Sequence, residues 1–557
     1  MTKVIEAAEL AEIESLLGTG GDTPMAFGGA YDGANRFDRK VAGWVPPLQS
    51  ADAEMMPDKG IIDARSRDLN RNDAFVQGGG TLHKDSIVGD MFALNSKPNW
   101  AVLGLSEEWA EAFQQECEEK FTTWAESPRK YVDYSEQNDF TALIRLSVGV
   151  YTSGGEALAT AEWDTSTGRD FRTAVQMVDT DRLMQPHIGA DNPLIRGGIE
   201  HDRRGRHKAY FIRTYHPSDY RNVALANGQE YKKVGARKPW GRAQVLYVRE
   251  QMRVDQTRAV SDMVAGLKEI KMMRGFRDVT LQNAVVNAMY AATIESELPS
   301  EALFSQLGGG NIGESAADFG AQYLGAINEY VGNAKHMMID GVRVPHLFPG
   351  TKFKMQPAGT PGGVGQEFEK SLLRYLASSL NVSYEELSKD YTKTNYSAVR
   401  AAMASSHRFM QARKRVCADA MANGIFRLWL EEAVNNDKLD SFPASMSWML
   451  YTDGVLNYLF DALANCSWIG ASRGQIDELK ETQAATLRIK WGLSTHEDEL
   501  ARLGKDWRKV YAQLEREAKE RKKRNIELIE DNSVNAASGS ARETDETDDK
   551  EGDTDDE

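Results

Sequence analysis

Residues 368–403 read FEKSLLRYLASSLNVSYEELSKDYTKTNYSAVRAAM, and their spacing constrains the fold more than any other stretch. Phe368, Leu372, Leu373, Leu376 and Leu380 recur at helical intervals, so the first segment has one apolar face that another surface must cover. The pattern stops at Asn381. A polar stretch follows with Lys389, Asp390, Lys393 and Asn395, and the helical period resumes from Tyr396 through Val399, Met403, His407 and Met410. The predicted unit is helix, polar loop, long helix, which on its own suits many helical proteins.

With 557 residues, 41% hydrophobic and 9% aromatic, most of the chain is expected to fold, as several subdomains sharing more than one core. Cys117, Cys417 and Cys466 are isolated, which predicts buried small hydrophobes in a reducing compartment rather than a disulfide or zinc framework. The first residues carry Glu6, Glu9, Glu12 and Glu14 and lack a secretory pattern. The longest uncharged, partly apolar run, residues 279–294, is too short for a bilayer and contains Gln282, Asn283 and Asn287. A soluble cytoplasmic product with no membrane partner is expected. The net charge of −16 divides unevenly: residues 541–557 hold ten acidic and two basic residues, a net of −8, and the other −8 belongs to the rest of the chain. A mildly acidic body does not suit a tight, static nucleic-acid binder.

Residues up to about Gly60 are poor in pattern and rich in glycine, predicting a loosely ordered arm. The run 64–75 places Arg65, Arg67 and Arg71 before Ile87-Val88-Gly89, with Arg67 and Arg71 on one helix face. A helix is predicted over 106–126, followed by short strands at 156–163, 171–178, 209–214 and 244–249 in an antiparallel or mixed sheet. The basic cluster around Gly205 is read as a hairpin turn. From Asp255 a helix of some forty residues is predicted, ending near Pro299, with Lys268, Lys271, Arg274 and Arg277 as a basic stripe. A Gly-rich region over 307–365 contains a helix near 316–330 and a strand at 343–347. The helix after the polar loop is predicted to reach about Val434, with Gly424 a possible kink, and a strand returns at 446–451. Gly492 suits the position just past a helix and Ser494 or Thr495 the next N-cap, with acids three residues on. The second helix there is predicted to run to about Glu530, before a disordered acidic tail.

Catalytic patterns are missing. No G-x-x-x-x-G-K-[ST] occurs, and the GTPGGVG run at 359–365 lacks the Lys-Ser/Thr that would reach phosphate and metal. There is no H-E-x-x-H and no G-x-S-x-G. Paired acids such as Asp179 and Asp181, or Glu385 and Glu386, are common in a chain with 83 acidic residues and read as solvated surface. No catalytic residue, metal ligand or cofactor is expected, and the chain is not expected to be an enzyme.

Four islands carry a resemblance: 65–72 (R-x-R-x-L-x-R-N), 284–298 (AVVNAMYAATIESEL), 368–399, and 465–485 (NCSWIGASRGQIDELKETQAA). Together they resemble the lambda-type family of tailed-phage portal proteins, over about 35–517. The resemblance implies an α+β portal fold with a mixed-sheet wing, helical stem, small α/β clip, tunnel loop and helical crown, assembled as a cyclic ring. It divides the chain into an N-terminal arm (1–60), the first part of the wing (61–254), a stem helix (255–298) and the clip (299–365). The second stem helix (366–380), tunnel loop (381–395), remaining wing (396–470), crown (471–530) and acidic tail (531–557) complete the division.

The family forms rings, typically of twelve subunits, at one capsid vertex, where DNA is packaged and later ejected. The partners implied are further copies of the chain, the large terminase subunit, a head–tail connector, major capsid and scaffold proteins, and double-stranded DNA without sequence preference. The implied location is the virion, with host cytoplasm during assembly. The alternatives are a DNA-packaging ATPase or nuclease, or a non-conducting capsid adaptor. An acidic balance suits a conduit, because each neutralised phosphate adds affinity that would stall sliding DNA. Lys389 and Lys393, with Asn395, are the expected DNA-facing residues of the loop. Lys268, Lys271 and Arg274 are second candidates in the stem, where ion pairs with acids of a neighbouring subunit are the competing reading.

Overall fold

The computed structural model describes residues 34, 38–186, 192–219, 230–289, 337–339, 342–344, 364–392, 395–472 and 477–526. Ser50 caps the first helix among the described residues, α1 (Ala51–Asn72), by accepting from the Ala53 amide. Ten residues expected to lie in a loose arm are therefore helical. The stretch is poor in pattern, but the buried Lys59 ammonium fixes it through Asp63 at 2.9 Å and the Ala259 carbonyl at 2.7 Å. Asp73 then caps α2 (Ala74–Ile87) through the Phe75 and Val76 amides.

A short strand, β1 (Ala93–Ser96), precedes α3 (Glu107–Ala125) and α4 (Phe140–Gly154). The four predicted strands occur close to their predicted positions, and three further strands join them. Strands β2 (Glu156–Trp163) and β3 (Thr173–Val178) pair first. Next come β4 (Ile195–Arg196), β5 (Ile199–His201), β6 (His207–Arg213), β7 (Tyr231–Gly235) and β8 (Val245–Arg249). They form two antiparallel sheets, ordered β3-β2-β8 and β4-β5-β6-β7. The turn at Gly205 (φ +86°) is the expected hairpin between β5 and β6, with Asp202 accepting from the Arg204 and Arg206 amides.

Alternation along the central strands divides two cores. Ala157, Ala159, Leu246 and Val248 face the helices, whereas Leu158, Val178 and Val245 face Ile199, Tyr210 and Ile212 of the second sheet.

The forty-residue helix expected from Asp255 starts later. Residues 255–261 are not helical, because their polar groups are engaged by distant side chains. Asp52 accepts from the Thr257 amide and hydroxyl at 2.7 Å, and Glu156 accepts from the Ala259 amide at 3.2 Å. A 3₁₀ turn, Asp262–Gly266, then leads into α5 (Leu267–Met289). Beyond it the predicted helix at 316–330 lies outside the described residues, and a two-strand hairpin, Met337–Ile339 with Val342–Val344, covers the start of the predicted strand.

Helices α6 (Val364–Ser379), α7 (Tyr384–Ser388), α8 (Tyr396–Lys414) and α9 (Ala420–Asn435) follow. The irregularity between α8 and α9 is a π turn at Arg415–Asp419 rather than a kink at Gly424. Gly424 serves close packing instead: a Cβ there would stand 2.7 Å from Leu246 Cδ2. Helix α9 is buried on most sides, with Phe426 and Trp429 at the centre of an aromatic cluster. Phe121 approaches Trp429 edge-on at 5.3 Å and Phe140 packs on Trp468 at 5.2 Å.

The strand predicted at 446–451 is a 3₁₀ turn, Ala444–Leu450, joined to a two-residue strand, Tyr451–Thr452. Strand β9 (Cys466–Ile469) pairs with β1. The C-terminal part has three helices where two were predicted: α10 (Glu478–Lys490), α11 (His496–Arg502) and α12 (Trp507–Arg524). Gly492 (φ +68°) and the Thr495 cap to Asp498 occur as expected. The additional break is at Gly504 (φ +73°), followed by Asp506 capping α12. Cys117 and Cys417 are buried as free thiols and Cys466 is partly buried. Among the described residues no helix is long and apolar enough to cross a membrane.

Candidate functional site

The polar segment after α6 is firmly seated at its base. Helix α6 ends through Asn381, in the left-handed region at φ 55°, and the Val382 amide returns to the Ala377 carbonyl at 3.0 Å. Leu376, Leu380, Val382 and Leu387 are buried. Gly79 of α2 permits this approach, because a Cβ there would stand 2.6 Å from Leu380 Cδ1. His83 of α2 meets the Leu380 carbonyl through Nε2 at 3.1 Å. An oxygen acceptor requires that nitrogen to carry the proton, and burial pushes the imidazole down to about 4, so His83 is a neutral donor near neutrality.

Ser383 and Glu386 form a capping box on α7. The Glu386 carboxylate accepts from the Ser383 hydroxyl at 2.7 Å and, across the loop, from Ser406 of α8 at 2.6 Å. Glu386 therefore ties the loop helix to the long helix. Ser406→Ala is expected to destabilise this seat by about 1–2 kcal/mol while leaving the distant sheets unchanged. Hydrogen exchange over 383–392 measures it, and unchanged protection there would show the tie to be inert.

The candidate residues separate in this frame. Lys389 is exposed and ends α7 in the left-handed region at φ 57°, a conformation that costs a non-glycine residue about 1 kcal/mol. Asn395 caps α8, its side chain accepting from the Ala398 amide at 2.8 Å. Lys393 lies outside the described residues.

On α5 the predicted basic stripe is divided. Arg277 pairs with Glu369 of α6 at 2.6 Å and stacks over Phe75 at 4.7 Å, while Phe276 meets Phe368 edge-on at 5.3 Å. Lys268 and Lys271 are exposed and Arg274 is half-buried, and none of the three makes an ion pair among the described residues. Arg277 thus joins the two helices.

The one cluster with metal-like spacing among the described residues, Asp179, Asp181 and His216, already has a cation. Arg67 donates to Asp179 at 3.3 Å and pairs with both oxygens of Asp181, so the first arginine motif of the sequence serves a structural ion pair. Arg71 is exposed and lies 3.9 Å from Asp68 of its own helix.

Sequence reasoning passed over Gly79, His83 and Ser406, and it read Glu386 as solvated surface, whereas its carboxylate is engaged by Ser383 and Ser406. The Ser383-to-Glu386 spacing was the local signal available; Gly79 and His83 gain their role from a contact some 300 residues away.

The described residues thus join a seated loop to two paired helices, and the comparisons with known proteins give this arrangement its family. The lambda-family phage portal protein profile matches residues 37–414. Portal protein B of Escherichia phage lambda is 34% identical over 511 residues, covering 92% of this chain and 93% of that protein. The portal protein of Escherichia phage N15 is 34% identical over 512 residues, covering 92% of this chain and 94% of that protein. The solved neck of a native gene transfer agent particle aligns with 81% of this chain and 99% of its own at 10% identity, with a TM-score of 0.37. The chain belongs to the lambda family of phage portal proteins, a family of structural capsid components and not of enzymes.

Proposed function

We propose that this chain forms a closed ring at one capsid vertex, with residues 381–395 turned to the axis and double-stranded DNA passing through. The observation that carries this reading is the rigidly seated loop presenting the exposed Lys389 between two helices. Helices α5 and α6 are the stem, and 299–365 is the face that meets the large terminase subunit and then the head–tail connector. Residues 471–530 are the crown, inside the head. Capsid and scaffold proteins surround the ring during assembly in host cytoplasm. A cyclic interface meets the exposed apolar residues of α5, such as Met272, Val279 and Leu281, which the described part of the subunit leaves uncovered.

Cyclic repetition turns one lysine into a belt of charge. Sparse cations give weak, sequence-independent attraction that DNA can slide past. Negative-stain images of the assembled protein test the ring directly; absence of particles with an axial hole would overturn the reading. The double variant Lys389→Ala, Lys393→Ala is expected to form rings as the parent does, with altered DNA retention. Its salt slope for duplex binding is expected to flatten by about 0.9 for each phosphate that the variant no longer neutralises. Loss of rings in that variant would make the loop an assembly element instead.

A further inference from the structure

Among the described residues, α12 is the last helix, and it ends in a charge excess that the acids described around it do not absorb. Residues 519–524 are Lys-Glu-Arg-Lys-Lys-Arg, five cations against one acid. Lys519 pairs with Glu515 at 2.5 Å and Arg524 with Glu520 at 2.7 Å, but Arg521, Lys522 and Lys523 have no acidic partner among the described residues. Lys522 and Lys523 are exposed. Helix geometry accounts for part of this enrichment, since cations near a C-terminus complement its carbonyls. That end carries only about half a negative charge, far less than the excess.

Seventeen residues beyond Arg524 the same chain begins its most acidic segment, 541–557, with a net charge of −8. We propose that this acidic segment seats on the basic end of α12, at Arg521, Lys522 and Lys523, and withholds that patch from nucleic-acid phosphates. The connecting length permits it: seventeen residues span at most about 60 Å, against about 27 Å for the whole of α12. Tethering makes the encounter intramolecular, at an effective concentration in the millimolar range. The partner chemistry is complementary, because a run of carboxylates offers the same acceptors as a phosphate backbone. A conduit gains from such a device, since an exposed basic ring inside a DNA-filled head would otherwise hold its cargo. The seating does not depend on ring formation, and its failure would leave the portal reading intact.

The test compares the full chain with a chain truncated after Ser540, using a fluorescent 30-base-pair duplex of arbitrary sequence across a salt series. Truncation is expected to tighten binding at low salt and to steepen the slope of log affinity against log salt by about 3, roughly one for each freed cation. Adding a synthetic 541–557 peptide is expected to reverse the gain. Adding Lys522→Ala and Lys523→Ala to the truncated chain is expected to abolish most of it; these exposed positions leave the fold undisturbed. A truncation that leaves DNA affinity unchanged would overturn the proposal. So would a gain that survives the double lysine variant, because the tail would then act through net charge alone. Zero-length carbodiimide cross-linking of Lys522 or Lys523 to carboxylates in 541–557 reports the seating itself. In a mixture of light and heavy isotope chains, same-mass pairs assign the tail to its own helix and mixed pairs to a neighbouring copy. Absence of any such cross-link would also overturn the seat.

Discussion

Glu156→Ala is expected to destabilise the subunit by about 3–5 kcal/mol, because it leaves the buried Arg258 without its carboxylate partner and takes one of two from the buried Lys59. The Glu156 carboxylate is fully buried at the start of β2. It accepts from Arg258 Nε at 2.9 Å and the Ala259 amide at 3.2 Å, and lies 3.2 Å from the Lys59 ammonium. Tyr247 donates to it as well. Without it, among the described residues, Arg258 keeps the Gly197 and Thr180 carbonyls, and Lys59 keeps Asp63 and the Ala259 carbonyl. Three parts of the chain meet here: α1, the first strand of the central sheet, and the segment leading into α5.

The same group predicts a pH dependence. Burial opposes ionisation of Glu156, but the attraction of Arg258 and Lys59, with hydrogen bonds from Arg258 and Tyr247, overcomes it and holds the carboxyl at about 2. A carboxyl depressed below its unfolded value of about 4.3 stabilises the fold above that pH, and the contribution is lost as pH falls toward 2. Asp63 shifts the opposite way: burial raises it, and Lys59 only partly offsets the rise. The difference in urea midpoint between the parent and Glu156→Gln across pH 3–7 isolates Glu156. A loss below about 1 kcal/mol at pH 7 for Glu156→Ala, or a flat difference curve, would refute the account.

This network also marks where sequence reading stops. The apolar spacing from Phe368 to Leu380, the stop at Asn381, the turn at Gly205 and the Thr495 cap are all legible, because each depends on neighbours within a few positions. Residues 255–261 read as the start of a helix because nothing local forbids one. Their amides are instead taken by Asp52 and Glu156, about 200 and 100 residues earlier in the chain. The opposite error arises for 51–60, where the poor pattern suggests a loose arm and the buried Lys59 holds a helix. For the loop, Lys389 and its exposure are legible by position. Its support by Gly79, His83 and Ser406 is not, because a small residue, a neutral imidazole and a hydroxyl become informative only when the fold brings them against Leu380 and Glu386.

Gly155→Ala is expected to cost about 3 kcal/mol or more, whereas Gly154→Ala one residue earlier is expected to lie within about 0.5 kcal/mol of the parent or be slightly stabilising. The two glycines differ in physics rather than in sequence context. Gly154 is the last residue of α4, and an added Cβ there meets nothing within 4 Å. Gly155 ends that helix in the left-handed region at φ +79°, and an added Cβ would stand 2.2 Å from the backbone carbon and oxygen of Val260. Backbone cannot yield as the tip of a side chain can. The segment 258–261 would have to leave β2, taking Arg258 and the Ala259 amide away from Glu156. Gly155→Ala and Glu156→Ala therefore release the same segment, and their costs should not add: the double variant is expected to fall well short of the sum. Hydrogen exchange over 255–266 provides the local readout, since loosening there precedes the 3₁₀ turn that opens α5. Equal stability of the Gly154 and Gly155 alanine variants, or full additivity with Glu156→Ala, would show that this close backbone approach does not hold the segment leading into α5 to the sheet.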